Sequence, residues 1–170
     1  ITMQKGPEYF VEAAAKVLQR SKHVRFVMAG SGDMMDQMIR LVASRNISDR
    51  FHFTGFMRGK QVYEVLKASD VYVMPSVSEP FGISPLEAMQ CGVPSIISKQ
   101  SGCAEILYYA VKVDYWDIDA LADSMYSIIT YPALHEFLKT EGKKEVDNIK
   151  WEYAGQKVRR IYDMVLANRK

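Results

Sequence analysis

Residues 71–92 read VYVMPSVSEPFGISPLEAMQCG, and three kinds of local structure follow one another within them. Residues 71–74 are a short apolar run with branched side chains, the pattern of a buried strand bounded by turn signals. Residues 75–82 are rich in turn formers. Ser84 then offers a cap, Pro85 suits a first helical position, and Glu87 stands three residues after Ser84 as in a capping box. The expectation is a short helix that starts at Ser84 and stops at Gly92. Strand, loop and helix in that order place Glu79 and Glu87 on either side of one helix N-terminus. Between them the backbone N–H groups of Phe81, Gly82 and Ile83 face the same space, and the glycine lets a ligand approach the main chain closely.

Donors and carboxylates that converge in this way suit a ligand bearing both phosphate and hydroxyl groups. Phosphate is favoured at helix N-termini by free N–H groups and the positive end of the helix dipole, and ionised carboxylates accept hydrogen bonds from sugar hydroxyls. A nucleotide sugar carries both. Spacing alone is equally compatible with a structural role, in which Glu87 only closes the capping box and Glu79 is a solvated loop acid.

The longer string over residues 76–94, S-x-S-E-P-F-G-I-x-P-L-E-A-M-x-C-G-V-P, closely resembles the signature of retaining glycosyltransferases of family 4, in the C-terminal half of the GT-B fold. The resemblance extends over nearly the whole chain. It implies that residues 1–170 are a single nucleotide-sugar-binding domain. The domain would be the donor half of an enzyme of polysaccharide or glycoconjugate biosynthesis. Such an enzyme transfers a hexosyl group from a nucleotide-diphosphate sugar to a glycan, lipid or other acceptor. In that family the two glutamates stand eight positions apart, as Glu79 and Glu87 do. By the resemblance Glu79 contacts the donor sugar and Glu87 the ribose hydroxyls, while the amides of Phe81, Gly82 and Ile83, with Ser84 at the helix start, lie near sugar and diphosphate. Lys5, in Gln4-Lys5-Gly6 ahead of a helix, matches the family lysine that neutralises the diphosphate. The arginine that accompanies it in the family would precede Ile1. The implied catalytic residues are thus Glu79 and Lys5, and Met57 and Arg58 are implied at the nucleobase.

The same resemblance implies no metal and no cofactor besides the donor. It places the acceptor on an N-terminal domain absent from this chain, and makes residues 151–170 the terminal helix that crosses back to that domain. The isolated domain is then expected to bind donor weakly and to transfer poorly or not at all.

A chain of 170 residues, 48% of them hydrophobic, suffices for one sizeable core. With 22 basic and 20 acidic residues the net charge is +2, so no strong field points to nucleic acid or to an anionic membrane. Cys91 and Cys103 form neither a metal-ligand spacing nor a disulfide framework, which favours reduced thiols in a cytosol. No apolar run approaches the roughly 20 residues that cross a bilayer, and the first residues, ITMQKG, lack the parts of a signal peptide. The expected location is cytoplasmic, or peripheral to the inner face of a membrane through the absent domain. His23, His52 and His135 share no metal spacing and no Ser/His/Asp set is visible, so none is assigned catalytic work.

Elsewhere the pattern alternates. Pro7 opens a helix that runs to about Arg20. A strand at 24–29 leads into Gly30-Ser31-Gly32-Asp33, a structural turn that matches a phosphate loop only weakly, with Asp33 as the cap of the next helix. A strand at 51–54, the loop 55–59 and a further helix follow, and after the central stretch comes a strand at 95–98. There, by the resemblance, Gly102 and Glu105 fit the family's glycine-rich loop with a glutamate opening a short helix. Asp119 is expected to cap a helix, Pro132 to begin another, and Trp151 to open the last, with Val158, Ile161, Tyr162 and Val165 at helical spacing.

This alternation argues for a Rossmann-like, doubly wound parallel sheet covered by helices on both faces, with ligand at the C-terminal strand ends. A first central strand lost ahead of Ile1 would leave a gap or an unpaired edge, inviting dimerisation there or through an uncovered terminal helix. Two other readings stay open. One is a non-catalytic nucleotide-binding or scaffold module of the same fold. The other is an epimerase-type relative that acts on a nucleotide sugar without an acceptor.

Overall fold

The structure is a computed structural model that describes residues 1–167; residues 168–170, the end of the expected terminal helix, lie outside the described residues. Strands and helices alternate as the periodicity predicts. Helix α1 (Pro7–Arg20) leads to β1 (Phe26–Ala29), α2 (Met35–Ser44), β2 (Phe51–Gly55), α3 (Lys60–Lys67) and β3 (Tyr72–Met74). Then come α4 (Ser84–Gln90), β4 (Ser95–Ser98), β5 (Val111–Val113), α5 (Ile118–Thr130), α6 (Pro132–Asp147) and α7 (Trp151–Ala167). Short 3-10 turns occupy Met3–Lys5, Ser48–Arg50 and Gly102–Glu105.

Every strand pairing is parallel. Phe26 of β1 faces Phe51 of β2, Tyr72 of β3 faces Ser95 of β4, and Ile96 of β4 faces Val111 of β5. All four residues of β4 are buried. Ile96 packs into the core shared with α1 and α5, whereas its neighbour Ile97 packs into a second cluster with Met74, Met89, Cys103 and Leu107. Successive side chains of a strand point to opposite faces, so β4 is covered on both sides, as a parallel sheet requires. Helices α1 and α5 lie together on one face, and α4 packs against α6 on the other.

The sheet is interrupted between β1 and β3. β1 pairs with β2 alone and β3 with β4 alone, giving one two-stranded and one three-stranded sheet among the described residues. The cavity between the two inner strands measures about 1060 Å³. Residues 1–4 supply no strand between β1 and β3.

Three helix starts differ from expectation. Asp33 does not cap α2: the main chain meets the first donors there, with the Met34 N–H on the Ile1 carbonyl at 3.2 Å and the Met35 N–H on the Gly32 carbonyl at 3.2 Å. Asp119 does not cap α5. Asp117 does, because its backbone is still outside the helix and its carboxylate accepts the Ala120 N–H at 2.9 Å, while Asp119 pairs with Lys16 of α1. Ser84 is the third, and is described with the site. The α4 stop is as read: Gly92 takes a left-handed φ of 77° and its N–H donates to the Met89 carbonyl at 2.9 Å.

Helix α7 buries none of its described residues, and Trp151, Val158, Ile161, Tyr162 and Val165 are all exposed. The expectation of an uncovered terminal helix is met. Among the described residues no helix is long and apolar enough to cross a membrane.

These burial differences predict contrasting stability effects. Ile96→Ala should lower the unfolding free energy by about 3 kcal/mol through lost transfer energy and a residual cavity. Ile161→Ala, on the exposed α7, should stay within about 0.5 kcal/mol of the parent. Urea titration followed by circular dichroism reads both.

Candidate functional site

The chain leaves β3 at Met74 and turns through residues 75–83 before entering α4. This loop is fixed from two sides. On one side the Gln4 carbonyl accepts the N–H of Val77 at 2.9 Å and of Ser78 at 3.4 Å. That contact brings Lys5 beside the loop, where its ammonium forms an ion pair with Glu79. The Glu79 side chain is only 13% exposed, so most of its carboxylate is shielded from water and Lys5 is its compensating charge.

On the other side the Gly102 N–H donates to the Glu79 carbonyl at 2.9 Å, and the Cys103 N–H to the Phe81 carbonyl at 2.7 Å. A Cβ at Gly102 would lie 2.1 Å from the Pro80 carbonyl oxygen, so only glycine permits this approach. Gly82 is constrained both by conformation and by space. Its φ is 93°, and a Cβ there would stand 3.0 Å from Met74 Cε and 3.2 Å from both Cys103 Sγ and Glu79 Cγ. Among the described residues the amides of Phe81, Gly82 and Ile83 donate to no protein acceptor. The loop thus combines a shielded carboxylate, a lysine and three open N–H groups.

The helix start departs from the sequence reading in one respect. Ile83 already has helical dihedrals and occupies the capping position, with no side-chain cap, so Ser84 is the first helical residue and the expected capping box is not formed. The Ser84 hydroxyl is engaged from below: Tyr72 Oη on β3 donates to Ser84 Oγ at 2.7 Å, and Ser84 Oγ lies 3.9 Å from Met74 Sδ. A tyrosine on the strand has taken the group that would have capped the helix. Pro85 sits in the first turn as read. Glu87 is half-buried in that turn and has no capping role.

Lys5, Ser84 and Glu87 line one end of the cavity between β1 and β3, and Met57 lines it too. Arg58 does not. Its guanidinium lies 5.0 Å from the centroid of the Phe56 ring and its N–H donates to Gln61 Oε1 at 3.4 Å. The structure therefore gathers Lys5, Glu79 and the 81–83 amides at the end of β3, sets Ser84, Glu87 and Met57 on the adjoining wall, and leaves Arg58 outside that wall.

Two residues in this arrangement were not singled out as site residues from sequence. Gly102 was read only as part of a loop, and its close approach to Pro80 depends on a segment about twenty residues earlier. Tyr72 was read as one more apolar strand position. A tyrosine among the aliphatic residues of a buried strand does signal a hydroxyl in need of a partner.

Residues 1–145 match the family model described as Glycosyl transferases group 1. The chain belongs to that family. It is 32% identical over 171 aligned residues to an uncharacterized glycosyltransferase of Methanocaldococcus jannaschii, covering 98% of this chain and 43% of the relative. It is 30% identical to the 2-deoxystreptamine N-acetyl-D-glucosaminyltransferase of Niallia circulans, over 86% of this chain and 38% of that enzyme. The chain thus spans about two fifths of the length of these relatives. In fold it resembles the C-terminal domain of a glycosyl transferase group 1 family protein from Francisella tularensis. That likeness has a TM-score of 0.79 and 24% identity, and covers 86% of this chain and 80% of the other. This glycosyltransferase domain accordingly has the architecture of the C-terminal half of a GT-B enzyme.

Burial raises the Tyr72 phenol to a pKa of about 12, against the opposing effect of its hydrogen bond to Ser84 and with smaller contributions from Cys103, Glu87 and Glu79. Below pH 10 the phenol keeps its proton in both folded and unfolded chains. Between pH 10 and 12 the unfolded chain ionises first, so this contribution to stability is full at low pH and lost as pH rises through that window. Tyr72→Phe should therefore flatten the fall in unfolding free energy across the window, by on the order of 2 kcal/mol relative to the parent. Urea titrations at pH 9, 10, 11 and 12 measure the difference.

Proposed function

We propose that this domain binds the nucleotide-diphosphate sugar of a retaining glycosyl transfer, and that the acceptor is held by a separate domain. The observation that carries the reading is the ion pair of Lys5 with the shielded Glu79 beside three open amides. Each group has a part. Lys5 leaves Glu79 to meet the diphosphate, where its charge and the amides of Phe81, Gly82 and Ile83 stabilise the negative charge that develops as the glycosyl bond breaks. Glu79, released, accepts hydrogen bonds from the sugar hydroxyls and orients the ring. Glu87 and Ser84 line the wall on the nucleoside side, Glu87 facing the ribose, and Met57 packs on the base. Arg58 approaches the base only after leaving the Phe56 ring.

No metal is called for in this scheme, because lysine and backbone donors supply the positive potential at the leaving group. The likeness to an N-acetyl-D-glucosaminyltransferase supports a hexosyl donor. Residues 1–170 by themselves bind donor and transfer it poorly or not at all. The absence of an apolar spanning helix among the described residues fits a cytoplasmic enzyme, docked at a membrane if at all through its other domain.

Calorimetric titration with UDP-, GDP- and ADP-sugars tests the assignment. One nucleotide class should bind preferentially, and the double variant Glu79→Ala, Glu87→Ala should weaken it at least tenfold, since hydrogen bonds to charged groups contribute about 1.5–3 kcal/mol each. Unchanged affinity in a variant whose circular dichroism matches the parent would remove both glutamates from the donor site.

A further inference from the structure

Lys5 owes its place to the turn around it. The Lys5 and Gly6 N–H groups donate to the Thr2 and Met3 carbonyls at 2.9 and 3.1 Å, and Gly6 takes a left-handed φ of 59° where that turn ends and α1 begins. A Cβ at Gly6 would collide with the Pro75 carbonyl oxygen and stand 2.9 Å from Tyr9 Cδ2. The Tyr9 ring thus reaches back over its own helix start to the point where Gly6 meets Pro75. That meeting sets how closely the main chain at Lys5 approaches the loop of Glu79, and the ring packs against it.

Tyr9 is half-buried against the core and meets Tyr115 edge to face, with ring centroids 5.2 Å apart and an interplanar angle of 62°. Trp116 stands edge to face against Tyr115 in turn, at 4.8 Å and 87°. Tyr115 belongs to the loop between β5 and α5, which is fixed at both ends. The Asp114 carboxylate accepts from Lys99 Nζ at 2.8 Å and from Gln100 Nε2 at 3.1 Å. The Asp117 N–H donates to the Asp114 carbonyl at 3.0 Å, and the Asp117 carboxylate caps α5. Because β5 is the outer strand of its sheet, the rings link a fixed loop at the sheet edge to the turn that carries Lys5.

We propose that Tyr115, acting through Tyr9, is a positioning residue for Lys5. The ion pair with Glu79 holds the ammonium in the free domain, but under the proposed function that pair opens when the diphosphate arrives. From then on the long lysine stem is anchored only by its main chain. Rings packed against the Gly6 turn keep that main chain in place, so less freedom is lost when the lysine takes up the diphosphate. Neither tyrosine touches the donor in this assignment. The inference rests on the reading of Lys5 as the partner of the diphosphate.

Calorimetry with the nucleotide sugar that the parent prefers compares Tyr115→Ala, Tyr115→Phe, Lys5→Met and the double variant Lys5→Met, Tyr115→Ala. Tyr115→Ala should weaken binding about three- to tenfold, the range that an aromatic pair supplies, and Tyr115→Phe, which keeps the ring, should bind within about twofold of the parent. The double variant should bind within about twofold of Lys5→Met, because Tyr115 acts only through the lysine. A residue that merely supported the fold would weaken both backgrounds by the same factor. In the ligand-free domain, carbon-13 relaxation of the Lys5 ε-methylene, assigned with Lys5→Met, should show a lower order parameter in Tyr115→Ala than in the parent. Should Tyr115→Ala unfold, Tyr115→Leu, which keeps apolar bulk without a ring edge, takes its place in both measurements. Parent-like affinity in Tyr115→Ala, an equal loss in Tyr115→Phe, or a full multiplicative loss in the double variant would overturn the proposal. So would an unchanged Lys5 order parameter. A parent that binds no nucleotide sugar defeats the donor reading instead, and the relaxation measurement then decides whether the rings hold the lysine.

Discussion

The contact between residues 79–81 and residues 102–103 governs the shape of the site. Two main-chain hydrogen bonds join the segments, from Gly102 to Glu79 and from Cys103 to Phe81, and the approach leaves no room for a Cβ at Gly102. A loop held by its carbonyls turns its amides the other way. That is why the N–H groups of Phe81, Gly82 and Ile83 remain open while the carbonyls on either side of Pro80 are used. Short parallel strands make the contact possible: β3 and β4 end side by side, so the loops that leave them meet directly.

The same strands explain how the site is supported from below. β4 is buried on both faces and anchors β3 and β5 in register, with Ile97 in a cluster of its own face and Ile96 in the larger core that also holds Phe26 and Phe51. β1 and β2 are held to α1 by contacts in that same core, among them the stacked rings of Phe26 and Phe51 with Phe10 edge-on. Helices α1 and α5 bridge the two sheets. Lys5, Ser84 and Glu87, which line the cavity between β1 and β3, stand beside elements that this bridge holds in place.

Local physics made most of this readable in the residue pattern. The run at 95–98 was legible because branched residues follow a proline and precede a charged turn, and both glycine and proline punctuation at 85 and 92 held. What failed were choices among neighbouring cap residues. Asp33, Ser84 and Asp119 are all good caps in isolation, but the Ile1 carbonyl, Tyr72 and the backbone at Asp117 decide the outcome, and each is a tertiary fact. Cap preference is worth about 1 kcal/mol, little enough for one long-range hydrogen bond to redirect it. The pairing of Lys5 with Glu79 joins positions 74 residues apart, and no spacing rule foretells it.

That pairing also bears on selectivity under the proposed function. The Glu79 side chain is only 13% exposed, and in the free domain Lys5 is its ion-pair partner. A ligand that draws Lys5 away must therefore satisfy Glu79 as well. Inorganic phosphate offers the lysine a partner but brings no hydroxyl donors to the glutamate, leaving a desolvated charge alone. A free sugar offers hydroxyls to the glutamate but no anion to hold the lysine, so the ion pair competes with it. Under that proposal only a molecule carrying both a diphosphate and a sugar replaces each half of the pair at once. Under the proposed function the resting ion pair therefore selects against ligands that replace only one half of it.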